Sequence, residues 1–258
     1  MRIRAILFDK DGTLVDLRAT WVPRYRAAAA ALARAAGRGE PFATELLRRL
    51  GWDPVAGSLA ADSPLLWATN RTIAERWAAE PELRPLRSAG VDPVALALAE
   101  LEDEERHPPR PLGDVQGLLG RLAGRRLALG LATMDREAAA RRGAERLGIA
   151  PRLRFVAGCD SGFGQKPGPG MALAFCAAVG VSPAEVLLVG DSPADLAMAR
   201  AAGLGLAVAV RSGGAREADL APLADRLLED VHGLEALLDE LGSPPASPKA
   251  RLGPLPAG

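Results

Sequence analysis

The sequence predicts an α/β protein: a doubly wound parallel sheet, interrupted just after its first strand by an all-helical insertion. Three observations carry this. Short, continuous apolar runs alternate with helical patterns over residues 113–241, which argues for a parallel sheet covered on both faces. Residues 17–110 show only helical patterns, with no strand-like alternation, and hold all four tryptophans (Trp21, Trp52, Trp67, Trp77) and the single tyrosine, Tyr25. Carboxylates, a threonine and a lysine recur at the ends of predicted strands, where open α/β sheets place their ligands.

The first strand covers residues 3–8, an apolar run with no polar alternation. Helical patterns then cover 19–36, 42–50, 65–79 and 93–106, the last opened by Asp92 as N-cap with Pro93 at the first helical position. The aromatic residues of this region read as a core of its own. His107-Pro108-Pro109-Arg110-Pro111 is a stiff linker. Beyond it, helices are expected at 113–123, 136–147, 171–179, 194–202 and 231–241, and strands at 127–132, 154–157, 186–189, 206–210 and 226–228. The boundaries are therefore 1–16 with 111–241 for the α/β unit and 17–110 for the insertion. The Pro-, Ser- and Gly-rich tail, 242–258, is expected to be disordered.

Bulk properties narrow the partners. With 32 basic and 32 acidic residues, no global field steers the chain toward nucleic acid or an anionic membrane. No apolar run reaches the length of a membrane span, and no signal-peptide pattern precedes the first strand. Cys159 and Cys176 have no metal or redox spacing and read as reduced structural thiols. A soluble, cytoplasmic protein is expected, monomeric or a homodimer. Lys10, Lys166 and Lys249 are the only lysines, so a well-placed one is informative.

The polar strand ends follow in order. Asp9 and Asp11 end the first strand, and alternate residues of an extended chain face the same side. Read alone, the pair would also suit a capped turn ending at Gly12. The strand over 127–132 ends in Thr133-Met134-Asp135, where a hydroxyl and an N–H suit either an anion or an ordinary N-cap. Lys166 sits in the loop Gln165-Lys166-Pro167-Gly168-Pro169-Gly170 entering a helix, where a cation could hold a phosphate and a carboxylate together. The strand over 186–189 ends in Gly190-Asp191-Ser192-Pro193-Ala194-Asp195, giving a third carboxylate with a fourth one helical turn on. Carboxylates and water suit Mg2+ shared with a substrate phosphate.

Together these motifs resemble the haloacid dehalogenase superfamily, specifically its phosphatases. Asp9 to Asp16 match the family's Asp-x-Asp-Gly-Thr-Leu-x-Asp; Thr133, Lys166 and Gly190 to Asp195 match the remaining three motifs. The insertion stands where the family carries a helical cap on a Rossmann-like core. The resemblance implies that Asp9 attacks phosphorus and that Asp11 is the acid and base. It implies Mg2+ held by Asp9, the Asp11 backbone carbonyl and Asp191. Thr133, the Met134 N–H and Lys166 would bind phosphoryl oxygens, with Asp195 supporting the metal or orienting Lys166. Met134 stands where an asparagine is frequent, a change that spares the backbone contact.

Within the superfamily, Asp11 argues against dehalogenase chemistry, and a cap without lysine argues against Schiff-base hydrolysis of phosphonoacetaldehyde. The set looks most like the phosphoglycolate phosphatase branch, with a small phosphomonoester such as 2-phosphoglycolate as substrate. A β-phosphoglucomutase-like mutase and a catalytically silent binding protein remain as alternatives. Arg18 and Arg24 are placed to read a substrate carboxylate, although a solvated helix face is the plainer reading of both.

Overall fold

Ala5, Ile6, Leu7 and Phe8 are wholly buried, as a strand covered on both faces requires. The computed structural model describes residues 2–60, 62–66 and 68–242, and these four form its first strand, β1 (Ala5–Phe8). The insertion follows as α1 (Leu17–Ala35), α2 (Glu40–Arg49), a small antiparallel pair β2 (Trp52–Asp53) and β3 (Ser58–Leu59), α3 (Asn70–Ala78), α4 (Arg84–Ser88) and α5 (Pro93–Leu101). The chain then alternates: α6 (Val115–Gly124), β4 (Ala128–Ala132), α7 (Glu137–Arg146), β5 (Leu153–Ala157), α8 (Gly170–Val179), β6 (Val186–Gly190), α9 (Pro193–Ala201), β7 (Leu206–Val210), α10 (Glu217–Leu220), β8 (Arg226–Leu228) and α11 (Leu234–Gly242).

The strands form one parallel sheet in the order β5-β4-β1-β6-β7-β8. The chain steps outward from β1 through β4 to β5, then returns to the far side of β1 with β6. This reversal makes the carboxyl end of β1 a topological switch point. The strand's two-residue period sorts its side chains between the layers. Ile6 and Phe8 join one core with Leu118, Ala140 and Leu234, while Ala5 and Leu7 join another with Phe175 and Leu196.

The insertion buries a third core of its own, drawn entirely from residues 17–101, with Trp21, Tyr25, Trp52 and Trp77 in it. Trp77 is fully buried and its Nε1 donates to the Leu46 carbonyl at 2.9 Å, so the large indole costs no unpaired donor. Trp67 and residues 243–258 of the predicted tail lie outside the described residues, while Gly242, the first residue of that tail, ends α11. Exit and entry of the insertion run side by side. Asp16 N donates to Arg110 O at 2.8 Å, and Leu112 N donates to Leu14 O at 3.0 Å. Asp16 also caps α1, its side chain accepting from Ala19 N at 2.8 Å.

The structure departs from the sequence expectation in several places. The pattern over 65–79 splits, because Thr69 accepts from Thr72 N at 3.2 Å and starts α3 there. The helix expected to reach 106 ends at Leu101, where the Asp103 carboxylate accepts from Glu105 N and Arg106 N and turns the chain. The insertion is not purely helical, since β2 and β3 pair across a turn tied by Asp53 to Val55 N and Ala56 N. The short helices α4 and α10 were not expected; each is about one turn, too brief for a period to register.

Candidate active site

Asp9 follows β1 directly, and its N–H donates to Val189 O of β6 at 2.9 Å, which extends the strand pairing up to the expected nucleophile. Lys166, joined to Pro167 by a cis peptide bond, precedes α8. Its Nζ lies 2.5 Å from Asp9 Oδ1 and 2.5 Å from Asp195 Oδ1. Asp195 is locked from the other side, its Oδ2 accepting from Ser192 N at 3.1 Å and Ser192 Oγ at 2.5 Å. Ser192 Oγ in turn accepts from Asp195 N, a reciprocal cap that starts α9. Asp195 thus pairs with Lys166 through Oδ1 and with Ser192 through Oδ2.

Asp191 follows β6 and is buried, and its Oδ2 accepts from Gly214 N at 3.3 Å. The fit around it depends on Gly12, whose φ of +87° suits glycine and where an added Cβ would collide with the Asp191 carboxylate. Thr133 is buried at the end of β4, and its Oγ1 accepts from Asp135 N at 3.2 Å. That contact is the ordinary turn role, and it leaves the hydroxyl proton available to an anion. Asp9, Asp11, Thr133, Met134, Lys166, Asp191 and Asp195 all line one cavity of about 300 Å3.

Asp11 points to a different set of partners from Asp9. Its Oδ1 accepts from Trp21 Nε1 of α1 at 2.7 Å, and its Oδ2 lies 3.0 Å from Lys10 Nζ. Lys10 Nζ also lies 2.6 Å from Asp135 Oδ2. Sequence reasoning missed Trp21, Lys10 and Asp135 as parts of the site. The scarcity of lysine was a signal for Lys10, whereas nothing local marks Trp21. Arg18 is exposed as a helix-face arginine, but Arg24 is buried. The Arg24 guanidinium donates to the carbonyls of His107 and Leu101 and lies 4.8 Å from the Trp21 ring centre.

The electrostatics point to a missing positive charge. Burial, with Asp195 and Asp11 nearby, pushes Asp9 up to about 7 even though Lys166 pulls the other way. Burial and the Asp9 charge hold Asp191 well above the usual carboxylate range, and burial also raises Asp11. Burial alone would pull Lys166 down, yet Asp195 and Asp9 keep it above the ordinary lysine value. Oxygens of Asp9, Asp191 and Asp195 lie within 4.8 Å of one another. Three carboxylates against the single Lys166 ammonium leave two negative charges, so this donor set fits one Mg2+.

A family model described as a haloacid dehalogenase-like hydrolase matches residues 3–203. The chain belongs to that family. This haloacid dehalogenase-like hydrolase is 30% identical over 213 residues to the N-acetylmuramic acid 6-phosphate phosphatase of Pseudomonas aeruginosa, covering 83% of this chain and 84% of that protein. It is 37% identical over 124 residues to the phosphoglycolate phosphatase of Rhodospirillum rubrum. That match takes in 48% of this chain and only 43% of the relative. Among solved structures, one described as a putative phosphatase from Clostridium difficile superposes with a TM-score of 0.68 at 17% identity, covering 92% of this chain and 99% of that one. At that identity the likeness shows the shared fold.

Proposed function

We propose that this hydrolase is a Mg2+-dependent phosphatase of small phosphorylated metabolites, working through a phosphorylated Asp9. The observation that carries the reading is the buried Asp9 carboxylate, held 2.5 Å from Lys166 inside a cluster with a two-charge deficit. Asp9 attacks phosphorus, and Asp11 gives a proton to the leaving alcohol oxygen. Asp11 then takes a proton from water as that water attacks the phosphorylated Asp9, releasing phosphate and restoring the carboxylate. Lys166, the Thr133 hydroxyl and the Met134 N–H hold the phosphoryl oxygens, while Asp195 keeps Lys166 in place. Asp9, Asp191 and the Asp11 backbone carbonyl would hold Mg2+, which when bound neutralises charge on the phosphoryl group.

The first substrate to consider is 2-phosphoglycolate, the branch to which the motifs point. A second reading is favoured by a cavity of about 410 Å3 that adjoins the first, sharing Trp21, Thr69, Asn70, Met134 and Asp135 with it. Glycolate would leave this space empty, whereas a phosphorylated sugar would enter it. Purified protein assayed with Mg2+ against phosphoglycolate, hexose phosphates and amino-sugar phosphates decides between them by kcat/KM. Asp9→Asn is expected to abolish phosphate release while leaving the fold intact; retained turnover would sink the nucleophile assignment. Net isomerisation of a sugar phosphate would identify a mutase instead.

A further inference from the structure

Of the two lysines among the described residues, Lys166 has a role in the proposed chemistry and Lys10 has none. It is 4% exposed and stands between the two aspartates at the end of β1. A buried ammonium needs compensation, and Lys10 has two carboxylates: Asp11 at 3.0 Å and Asp135 at 2.6 Å. Asp135 sits two residues beyond Thr133, on the loop that leaves β4. Asp11 itself lies past the end of β1, outside the sheet ladder, so its side-chain direction depends on what grips its oxygens. One oxygen is taken by the Trp21 indole N–H from the insertion, the other by Lys10.

We propose that Lys10 is a positioning residue: by bridging Asp11 to Asp135 it aims the Asp11 carboxyl at the leaving-group oxygen. The alternative is that Lys10 merely glues two loops together. The two differ in chemistry. Misaiming an acid harms the expulsion of an alcohol that needs a proton and spares a leaving group that departs as a stable anion. Loosened loops would harm both alike. The inference rests on the phosphatase reading, and the test separates the two.

The experiment compares wild type with Lys10→Met over a series of esters running from alkyl phosphates through phenyl phosphate to dinitrophenyl phosphate. The readout is kcat/KM, which reports events only up to formation of the phosphorylated Asp9. Lys10→Met is expected to lose about a hundredfold on alkyl phosphates but only about threefold on dinitrophenyl phosphate. Asp135→Asn, which keeps the Lys10 ammonium, should tilt the series in the same direction and serves if Lys10→Met does not fold. The double variant should be no worse than Lys10→Met alone, because both changes break one bridge. Equal losses across the series, or none, would overturn the positioning role while leaving the phosphatase reading intact. A wild type inactive on every ester would remove both.

Discussion

Replacing Lys166 with methionine tests the charge balance of the site directly. The side chain is 3% exposed, and its ammonium is the partner of both Asp9 and Asp195. Methionine keeps most of the volume and removes the charge, leaving three clustered carboxylates uncompensated. Breaking a buried pair in this way costs about 3–5 kcal/mol at neutral pH. The cost should depend on pH, and the sign follows from Asp9. Its carboxyl moves from 3.8 to about 7 in the folded chain, so the native state binds the extra proton between those values. Stability of the metal-free protein therefore falls as pH rises through that window, by about 4 kcal/mol for a full shift of this one group. Without Lys166, Asp9 and Asp191 hold their protons more tightly still, and the window extends upward. Lys166→Met should thus lie close to wild type at pH ~5 and well below it at pH ~8. Urea unfolding followed by circular dichroism, in chelator and then in Mg2+, reads both. Mg2+ should restore more stability at the higher pH than at the lower, because only ionised carboxylates bind it. A destabilisation independent of pH, or a Mg2+ increment as large in acid as in base, would refute the reasoning.

Three further outcomes are expected. Gly12→Ala should weaken Mg2+ binding by calorimetry, since the new Cβ meets the Asp191 carboxylate at a φ of +87°; unchanged affinity would contradict the packing described. Trp77→Ala should cost about 3–5 kcal/mol in unfolding experiments, because the indole is fully buried and hydrogen-bonded to Leu46 O. Asp16→Ala removes the cap on Ala19 N and should cost about 1 kcal/mol, with Mg2+ affinity unaltered because Asp16 touches none of the clustered carboxylates.

The sheet was legible because buried parallel strands advertise themselves. The runs over 127–132, 186–189 and 206–210 each became a strand within a residue or so, since every one is apolar throughout and bounded by turn residues, and the short edge run 226–228 did so despite opening on the exposed Arg226. Helix ends were less legible where a single side chain decides them. Asp103 stops one helix by taking two backbone N–H groups, and Thr69 starts another, yet both would pass as solvent-facing positions in an amphipathic pattern. Arg24 shows a different limit. Its charge suggests a wet helix face, but three contacts to backbone carbonyls of the linker and α5 bury it, and no local pattern encodes partners more than 70 residues away.

The candidate site divides along the same line. Asp9, Thr133 and Asp191 lie just beyond the ends of core strands, Asp195 in the first turn of α9, and Lys166 in the loop between β5 and α8. Each is announced by its own short motif, and a parallel sheet then brings the strand ends together at the switch point without further instruction. Asp11 belongs to this set by sequence but not by contact. Its two oxygens are gripped by Lys10, which stays with the core, and by Trp21, five residues into the insertion's first helix. The carboxylates that suit the metal therefore depend on the α/β core alone, while the proposed acid and base depends also on how the insertion is seated. That division suits an enzyme whose proton transfer should await a substrate large enough to occupy the space between the two, because the cavities flanking Trp21 are walled by both parts.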